Sequence, residues 1–285
     1  MVVQSKMKYL NTWTLMITCC WTGVAKAQLQ LLPDKESQCV FAGDARKITV
    51  VFRNPGSEPA KVDLRARLYQ TATATAVLTS ECPWKELQVL AGQTVVESAP
   101  LVFPLVKAET PFLVQWMEGT HRVIGKTEAL VYPTNLLAEL KPLADENQPI
   151  GVFDPGNVLK PLLRAVGVEF EDLADSGIAS FHGKLAIIGP FTSREQMPGD
   201  LTERIEKLAR KGIGVVWIQP PFGPHDKLKP SFYTVPSGTN VIVVAQSSLL
   251  ANLAEQPQSQ LRLLQLCRLA LHPEPLALPT SIIQP

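Results

Sequence analysis

Residues 150–168 read IGVFDPGNVLKPLLRAVGV, and this stretch decides the fold of the second half of the chain. The run from Ile150 to Phe153 is wholly apolar, which is typical of a strand covered on both faces. Asp-Pro-Gly-Asn follows as favourable turn chemistry, and apolar residues from Val158 to Val166 then recur at helical spacing. Gly167 supplies the left-handed residue that ends such a helix. The stretch therefore predicts a strand, a turn and a helix.

The turn at 154–157 leaves two interpretations open. Asn157 can cap the helix, because its side-chain oxygen can accept an amide proton from the first turn. Asp154 and Asn157 can instead bind a ligand, since ligands of open parallel sheets gather beyond the carboxyl ends of the strands. A nucleotide phosphate is not expected there, because neither glycine-rich phosphate motif occurs in the sequence.

Strand-like and helix-like segments continue to alternate after this turn. VEFEDL (168–173), KLAIIG (184–189), IGVVWIQ (213–219) and VIVVAQ (241–246) predict strands. A helix opens at Asp200 with Glu203 three residues later, and a last helix covers 259–271. Regular alternation predicts an α/β doubly wound, mostly parallel sheet. The proline-rich stretch 220–238 predicts a surface excursion or a lid over the strand ends.

The first half has strand patterns throughout. In VDLRARLYQ, apolar residues from Val62 to Leu68 alternate with charged and polar ones, so they share one face. Short runs punctuated by Gly or Pro continue to Tyr132 without a helical period, which predicts a β-sandwich of about seven strands. The expected domains are this sandwich at 28–135, a linker at 136–148 and the α/β domain at 149–285.

The N-terminal residues have the order of an export signal. Lys6 and Lys8 precede an apolar stretch at 13–24, and Ala25-Lys26-Ala27 supplies small residues before Gln28. The apolar part is too short to span a bilayer as a helix. We expect residues 1–27 to be a signal peptide cleaved near Ala27, which gives a periplasmic or extracellular chain without a transmembrane helix. A retained anchor is the alternative.

The charge of the expected mature chain argues against two classes of partner. Loss of residues 1–27 removes Lys6, Lys8 and Lys26 from the 27 Lys and Arg, but none of the 26 Asp and Glu. The resulting net charge of about −2 gives no electrostatic reason to bind nucleic acid or an anionic membrane. The remaining length is sufficient for two domains with real cores.

The cysteines and histidines supply no metal or catalytic motif. Cys39 and Cys82 can form a disulfide in an oxidising compartment if the fold brings them together, or they can both stay reduced. Cys267 lies in an apolar helix pattern and is expected to be inert. The histidines are scattered and no C-x-x-C occurs, so we expect no metal and no cofactor.

Polar residues that follow the predicted strands form the candidate ligand site. They are Asp154, Asn157, Thr192, Ser193, Arg194, Gln219, Gln246 and Ser247. A nucleophile would require Cys or Ser in a sharp turn after the central strand, where this chain has Gln219-Pro220. The candidate catalytic residues are therefore Asp154 and His225, the latter carried over the strand ends by the proline-rich stretch.

Residues 149–272 resemble the class I glutamine amidotransferase-like, flavodoxin-like domain. The resemblance rests on the order of the first strand-turn-helix unit, the buried strand KLAIIG, and the element RKGIGVVWI (210–218) before the central strand. Residues 149–272 are similar in particular to the domains of this family that lack the catalytic Cys. Such domains occur in exported bacterial proteins related to β-galactosidases and other glycoside hydrolases. The resemblance implies an immunoglobulin-like sandwich in the first half. The catalytic Cys would fall near Gln219, so glutaminase chemistry is not expected.

Three functions follow from these observations. The leading hypothesis is an exported non-catalytic accessory or interaction protein linked to polysaccharide use, with a carbohydrate or another exported protein as its partner. The second is a hydrolase with its site around Asp154. The third is carbohydrate binding by the sandwich through exposed aromatics such as Tyr69, Trp84 or Trp116. For Trp116, burial in the core of the sandwich is the simpler expectation.

Overall fold

The structure is a computed structural model in which the chain forms three β-sheets. It describes residues 29–34, 36–72, 74–143, 149–173, 175–221, 231–237 and 240–272. The expected signal peptide lies outside the described residues, and so does His225. None of the helices in the described ranges is long and apolar enough to cross a membrane.

The first two sheets use the strands of the N-terminal half. These strands are β1 (Gln30–Leu32), β2 (Gln38–Phe41), β3 (Ala45–Arg53), β4 (Ala60–Thr71), β5 (Ala76–Val89), β6 (Thr94–Val102), β7 (Thr110–Glu118) and β8 (Arg122–Tyr132). One sheet has the order β1-β3-β6 and the other the order β2-β8-β7-β4-β5. The β2–β8 pair is parallel, and the other pairs of these two sheets are antiparallel.

One hydrophobic core lies between these two sheets. The predicted alternation in β4 is confirmed, because Val62, Leu64, Ala66 and Leu68 are all buried in it. Trp116 of β7 is fully buried, and its Nε1 donates a hydrogen bond of 2.9 Å to Thr127 Oγ1. Burial of a large aromatic side chain together with its polar atom stabilises the core without leaving a donor unpaired.

Cys39 and Cys82 are both free thiols in this arrangement. They lie on β2 and β5, which are the opposite edges of the five-stranded sheet. Four strand spacings separate these edges by about 19 Å, whereas a disulfide requires Cα atoms closer than about 7 Å. Of the two alternatives left open by the sequence, the sheet order excludes the disulfide.

The third sheet and its helices use the C-terminal half. Their elements are β9 (Ile150–Phe153), α1 (Lys160–Ala165), β10 (Phe170–Asp172), β11 (Leu185–Ile188), α2 (Leu201–Arg210), β12 (Gly214–Gln219), β13 (Phe232–Ser237), β14 (Asn240–Gln246) and α3 (Pro257–Leu271). The strand order is β10-β9-β11-β12-β14-β13. Every pair is parallel except the antiparallel pair of β13 and β14.

Both faces of the six-stranded sheet are covered, because its strands bury side chains alternately on the two sides. On one face, Val152, Ile187 and Val216 belong to a cluster that includes residues of α1 and α3. On the other face, strand residues such as Ile188 belong to a cluster with α2 residues such as Ile205. Continuous apolar runs such as IGVF therefore form buried strands, as the sequence predicted.

The segment expected to be a linker contains a 3-10 helix at Leu136–Leu143. Leu136, Leu137 and Leu140 are buried. Leu136 packs with Phe41 and Tyr132 of the N-terminal sheets, and Leu261 of α3 contacts the same cluster. This segment is therefore packed against both halves of the chain.

The proline-rich stretch also contains more regular structure than the sequence indicated. Residues 232–237 form β13, which pairs with β14 at the edge of the six-stranded sheet. Proline is tolerated in an edge strand when its nitrogen faces away from the neighbouring strand. Pro236 meets this condition, because the backbone bond from Gln246 N to Ser231 O places Ser231 and every second residue after it toward β14.

Candidate functional site

The carboxyl ends of the parallel strands lie side by side at one edge of the sheet. Phe153 of β9 is in register with Ile188 of β11, which is in register with Trp217 of β12 and then Val244 of β14. The loops that follow these residues therefore start from neighbouring positions. The ligand-binding residues predicted from the sequence follow these strands and therefore lie at this edge.

Asp154 is buried directly after β9, with 2% of its surface exposed. Its Oδ2 accepts hydrogen bonds from the backbone N–H groups of Leu159 at 2.7 Å and Lys160 at 3.0 Å. Two of the unpaired donors at the start of α1 are satisfied in this way. Asp154 therefore caps α1, a role for which the sequence had offered Asn157.

Asn157 is an exposed turn residue two positions before the N-cap of α1, so the interpretation that it caps the helix is wrong. Its φ of 51° is in the left-handed region, which asparagine tolerates better than most residues. Its backbone N–H donates to Asp154 O at 3.2 Å. The helix begins later than the sequence pattern indicated, with Leu159 at the N-cap position, and its own side chain makes no capping bond.

The second carboxylate oxygen of Asp154 has a different environment. Oδ1 is buried and has no hydrogen-bond partner among the described residues. A Cβ atom placed on Gly156 would lie 3.9 Å from this oxygen and 3.8 Å from Pro190 O. One oxygen therefore bonds to the start of α1, and the other lies beside Gly156 of the turn.

A cleft of about 260 Å³ lies at the carboxyl end of β12, and its walls are Arg194, Met197, Gln219 and Pro220. Arg194 and Gln219 were both predicted site residues, and the structure brings them together. Arg194 is exposed, whereas Gln219 and Met197 are half-buried and Pro220 is buried. Met197 and Pro220 could not be predicted as site residues, because an apolar residue in a loop carries no sequence signal of a binding role.

The loop after β11 forms one wall of this cleft and is fixed against β12. Phe191 N donates to Ile218 O at 3.2 Å. A Cβ atom on Gly189 would lie 2.5 Å from the same oxygen, and Gly189 has a φ of 105°, so glycine is required there. The close contact of this loop with the end of β12 places Arg194 beside Gln219.

Thr192 and Ser193 form hydrogen bonds to other residues of the loop after β11. The backbone N–H and the hydroxyl of Thr192 both donate to Gln196 Oε1, at 2.9 Å and 3.1 Å. A hydrogen bond from Ser193 to Glu195 holds the pKa of that carboxyl below its ordinary value. These two predicted ligand residues stabilise the loop and do not line the cleft.

Gln246 and Ser247 lie at the end of the neighbouring strand. Gln246 is in register with Gln219, and Ser247 begins a 3-10 helix at Ser247–Leu250. Neither lines the cleft. Among the described residues, no group of three His, Cys, Asp or Glu side chains is placed to hold a metal ion.

Of the aromatic residues considered for carbohydrate binding, Trp116 lies in the N-terminal core and Trp84 packs against it, whereas Tyr69 is outside that cluster. Trp116 is fully buried, and its ring centroid is 5.2 Å from that of Trp84. Trp84 and Tyr69 are half-buried, and Tyr69 Oη donates to Gln115 Oε1 at 3.4 Å. Trp116 therefore cannot serve as an exposed platform for a sugar ring.

No protein-family model and no curated protein matches the chain. Solved structures with partial similarity include the alkylpurine DNA glycosylase AlkC of Pseudomonas fluorescens bound to DNA with an abasic site analog. That match has 12% identity over 38% of this chain and 31% of that one, with a TM-score of 0.29.

Two β-glucosidases show similarity of the same extent. The enzyme from Listeria innocua in complex with isofagomine has 15% identity over 38% of this chain and 17% of that one, with a TM-score of 0.28. The GH3 enzyme from Bifidobacterium adolescentis has 10% identity over 37% and 17%, with a TM-score of 0.26. The chain spans less than a third of each of these three structures, and TM-scores this low carry no argument about fold or function.

Proposed function

We propose that this chain is an exported, non-catalytic accessory protein that binds a polar ligand of the carbohydrate class in the cleft of Arg194, Met197, Gln219 and Pro220. The observation that carries the proposal is the placement of Arg194 and Gln219 in one cleft at the strand ends. Arginine offers a fork of N–H donors, and the glutamine amide both donates and accepts. Together they suit the hydroxyl and carboxylate groups of a sugar or sugar acid.

The apolar part of the cleft fits the same class of ligand. Met197 and Pro220 supply nonpolar surface beside the two polar side chains. Small-ligand sites commonly combine an apolar lining with a few polar groups that fix orientation. A sugar ring offers the matching combination of a nonpolar face and a polar edge.

The state of Asp154 supports binding rather than catalysis. A general acid or base must exchange a proton with a substrate at hydrogen-bonding distance. Oδ2 of Asp154 is occupied by two backbone amides and Oδ1 is buried. If the chain has the proposed amidotransferase-like fold, Gln219 stands where the resemblance implies the nucleophile, and an amide is not a nucleophile of that kind.

The proposal extends to the architecture and the origin of the chain. We propose that the two N-terminal sheets form an immunoglobulin-like β-sandwich, supported by their shared core. The six-stranded sheet would be a doubly wound domain of the amidotransferase-like class, supported by its parallel pairs and its two covered faces. Residues 1–27 would direct export.

The test is a binding measurement with neutral and uronic-acid oligosaccharides, by thermal shift and then by calorimetry. We expect Arg194→Ala and Gln219→Ala each to weaken binding by about tenfold or more, since a hydrogen bond to a charged group contributes about 1.5–3 kcal/mol. Arg210→Ala is the matched control, because Arg210 is an exposed arginine at the far end of α2, paired with Glu206.

Two results would overturn this proposal. One is binding that is absent for the whole panel, or that is equally strong in the Arg194→Ala, Gln219→Ala and wild-type proteins. The other is hydrolysis of glycoside or ester substrates that is lost in a folded Asp154→Asn variant. The second result would favour the hydrolase hypothesis, and His225→Ala would then test the proposed partner of Asp154.

A further inference from the structure

We propose that the chain binds a small organic phosphate, a phosphate monoester, in a cavity at the amino ends of β11 and β12. The cavity has a volume of about 510 Å³, which is a usual size for a small-ligand site. Leu185 and Gly214, which begin the two strands, are in register with each other. The cleft at Gln219 lies at the other end of β12, about 17 Å away along the strand. The proposal therefore does not depend on the cleft.

Four basic side chains line this cavity, and none of the described residues that line it is acidic. They are His182, Lys184, Lys211 and His272. All four are exposed, so they can contact a bound solute. The two lysines give the cavity two positive charges even when both histidines are neutral. A concave site with charges of one sign attracts a ligand of the opposite sign.

These basic side chains differ from those of the neighbouring helix surface, which have acidic partners. On α2, Lys207 pairs with Glu203 at 2.8 Å and Arg210 pairs with Glu206 at 3.0 Å. Within the described part of the chain, neither Lys184 nor either histidine of the cavity forms a salt bridge. The described acids therefore leave the positive charge of the cavity available to a ligand.

Helix dipoles account for only part of this arrangement. Lys211 and His272 are the C-cap residues of α2 and α3, where a basic side chain is favourable beside the last carbonyl groups. Lys211 Nζ also donates to Ala179 O at 2.7 Å, which leaves two of its three N–H groups for a ligand. Lys184 directly precedes β11 and belongs to no helix, so a helix dipole does not explain its position.

A phosphate monoester matches this set of groups. It carries a charge of about −1.5 to −2 at pH 7, which the two lysines balance. Its three terminal oxygens accept hydrogen bonds from lysine and from the N–H group of a neutral histidine. Leu143, Ile213 and Leu271 also line the cavity and offer nonpolar surface to the organic part of the ester. The cavity therefore favours an organic phosphate over inorganic phosphate.

The experiment is isothermal titration calorimetry of the full chain at pH 7 with phenyl phosphate, inorganic phosphate, benzoate and benzyl alcohol. Phenyl phosphate should bind more tightly than inorganic phosphate or benzoate, and benzyl alcohol should not bind. Lys184→Gln should weaken the binding of phenyl phosphate by about tenfold or more, because it removes a charge-assisted hydrogen bond. Lys184→Arg keeps the charge and should retain most of the affinity.

Lys207→Gln is the matched control. It removes the same charge one helical turn before Lys211, from a residue that is not among the described residues that line the cavity. The proposal fails if phenyl phosphate does not bind, or if Lys184→Gln and Lys207→Gln weaken its binding equally. Equally tight binding of benzyl alcohol, benzoate or inorganic phosphate would contradict the assignment to an organic phosphate.

Amide NMR spectra of the wild type give an independent check, should the Lys184 variants fold poorly. Titration with phenyl phosphate should shift the signals of Gly183, Gly212 and Gly214, which line the cavity. The signal of Gln219 should stay in place. Shifts confined to Gln219 would put the ligand in the cleft at the opposite end of β12 and overturn the proposal.

Discussion

Asp154 accepts the backbone N–H of Leu159 at 2.7 Å across the turn that separates β9 from α1. The carboxylate that looked most like a catalytic group in the sequence therefore binds the start of its own helix. The same oxygen also accepts the N–H of Lys160 at 3.0 Å. Because this oxygen is shared by two amides inside a buried turn, the local fold of the strand end depends on it.

Substitution Asp154→Ala should lower the free energy of unfolding by about 2 kcal/mol, since it removes charge-assisted hydrogen bonds to a helix N-terminus. Urea denaturation measures the change. Asp44→Ala is the matched control, because the Asp44 side chain is 85% exposed and pairs with Arg46 at 3.6 Å. The control should lose less than about 1 kcal/mol. Equal losses in the two variants would contradict the capping role.

Gly214→Ala should destabilise the packing of α3 against β12. A Cβ atom at Gly214 would lie 2.7 Å from Ala270 O, which belongs to the backbone of α3 and cannot rotate away. Overpacking of this kind costs about 1–3 kcal/mol. Gly199→Ala serves as the control, because nothing lies within 4 Å of its Cβ position. Thermal denaturation of the two variants should show a lower midpoint for Gly214→Ala alone.

The three described cysteines should differ in reactivity toward a maleimide at pH 8. Burial raises the pKa of Cys267 to about 12, and Cys267 is fully buried. Burial also raises the pKa values of Cys39 and Cys82, but both thiols are partly exposed. Mass spectrometry of the native protein should therefore find Cys39 and Cys82 labelled before Cys267. A non-reduced peptide joining Cys39 to Cys82 would contradict the sheet order.

We expect the free energy of unfolding to fall at alkaline pH, with part of the loss due to the buried thiol of Cys267. Its pKa is about 12 in the folded protein against an ordinary 9.0. The unfolded chain therefore loses this proton first, and stability decreases as pH rises from about 9 toward about 12. Cys267→Ala removes the contribution, so its stability should approach that of the wild type across this window. A constant difference between the two unfolding curves would show that the thiol does not contribute.

The buried strands could be predicted because a continuous apolar run is unfavourable in water unless both faces of the strand are covered. IGVF and KLAIIG form β9 and β11, and Gly167 ends α1 with a φ of 69°. The capping residue could not be predicted from the same stretch. It depends on where α1 begins, and that is set by the burial of Leu159 and Leu163 against the sheet.

Of the residues that line the candidate site, only the two polar ones, Arg194 and Gln219, could be predicted from the sequence. Arg194 and Gln219 follow two strands that are neighbours in the sheet, so their position beside each other could be inferred from the chain order. Met197 and Pro220 line the same cleft, but an apolar residue in a loop gives no signal of its own. β13 was missed for a related reason, because Pro236 argues against a strand unless its nitrogen is known to face outward.

The C-terminal helix belongs to two cores at once. Leu261 of α3 contacts the cluster of Phe41, Tyr132 and Leu136, while Leu263 and Leu264 pack under the six-stranded sheet. Gln258 Nε2 also donates to Cys39 Sγ at 3.3 Å. Unfolding of either half would expose to water the apolar residues of the other half that contact it. We therefore expect the chain to unfold in a single cooperative transition, and we expect fragments cut between Tyr132 and β9 each to expose apolar surface that promotes aggregation.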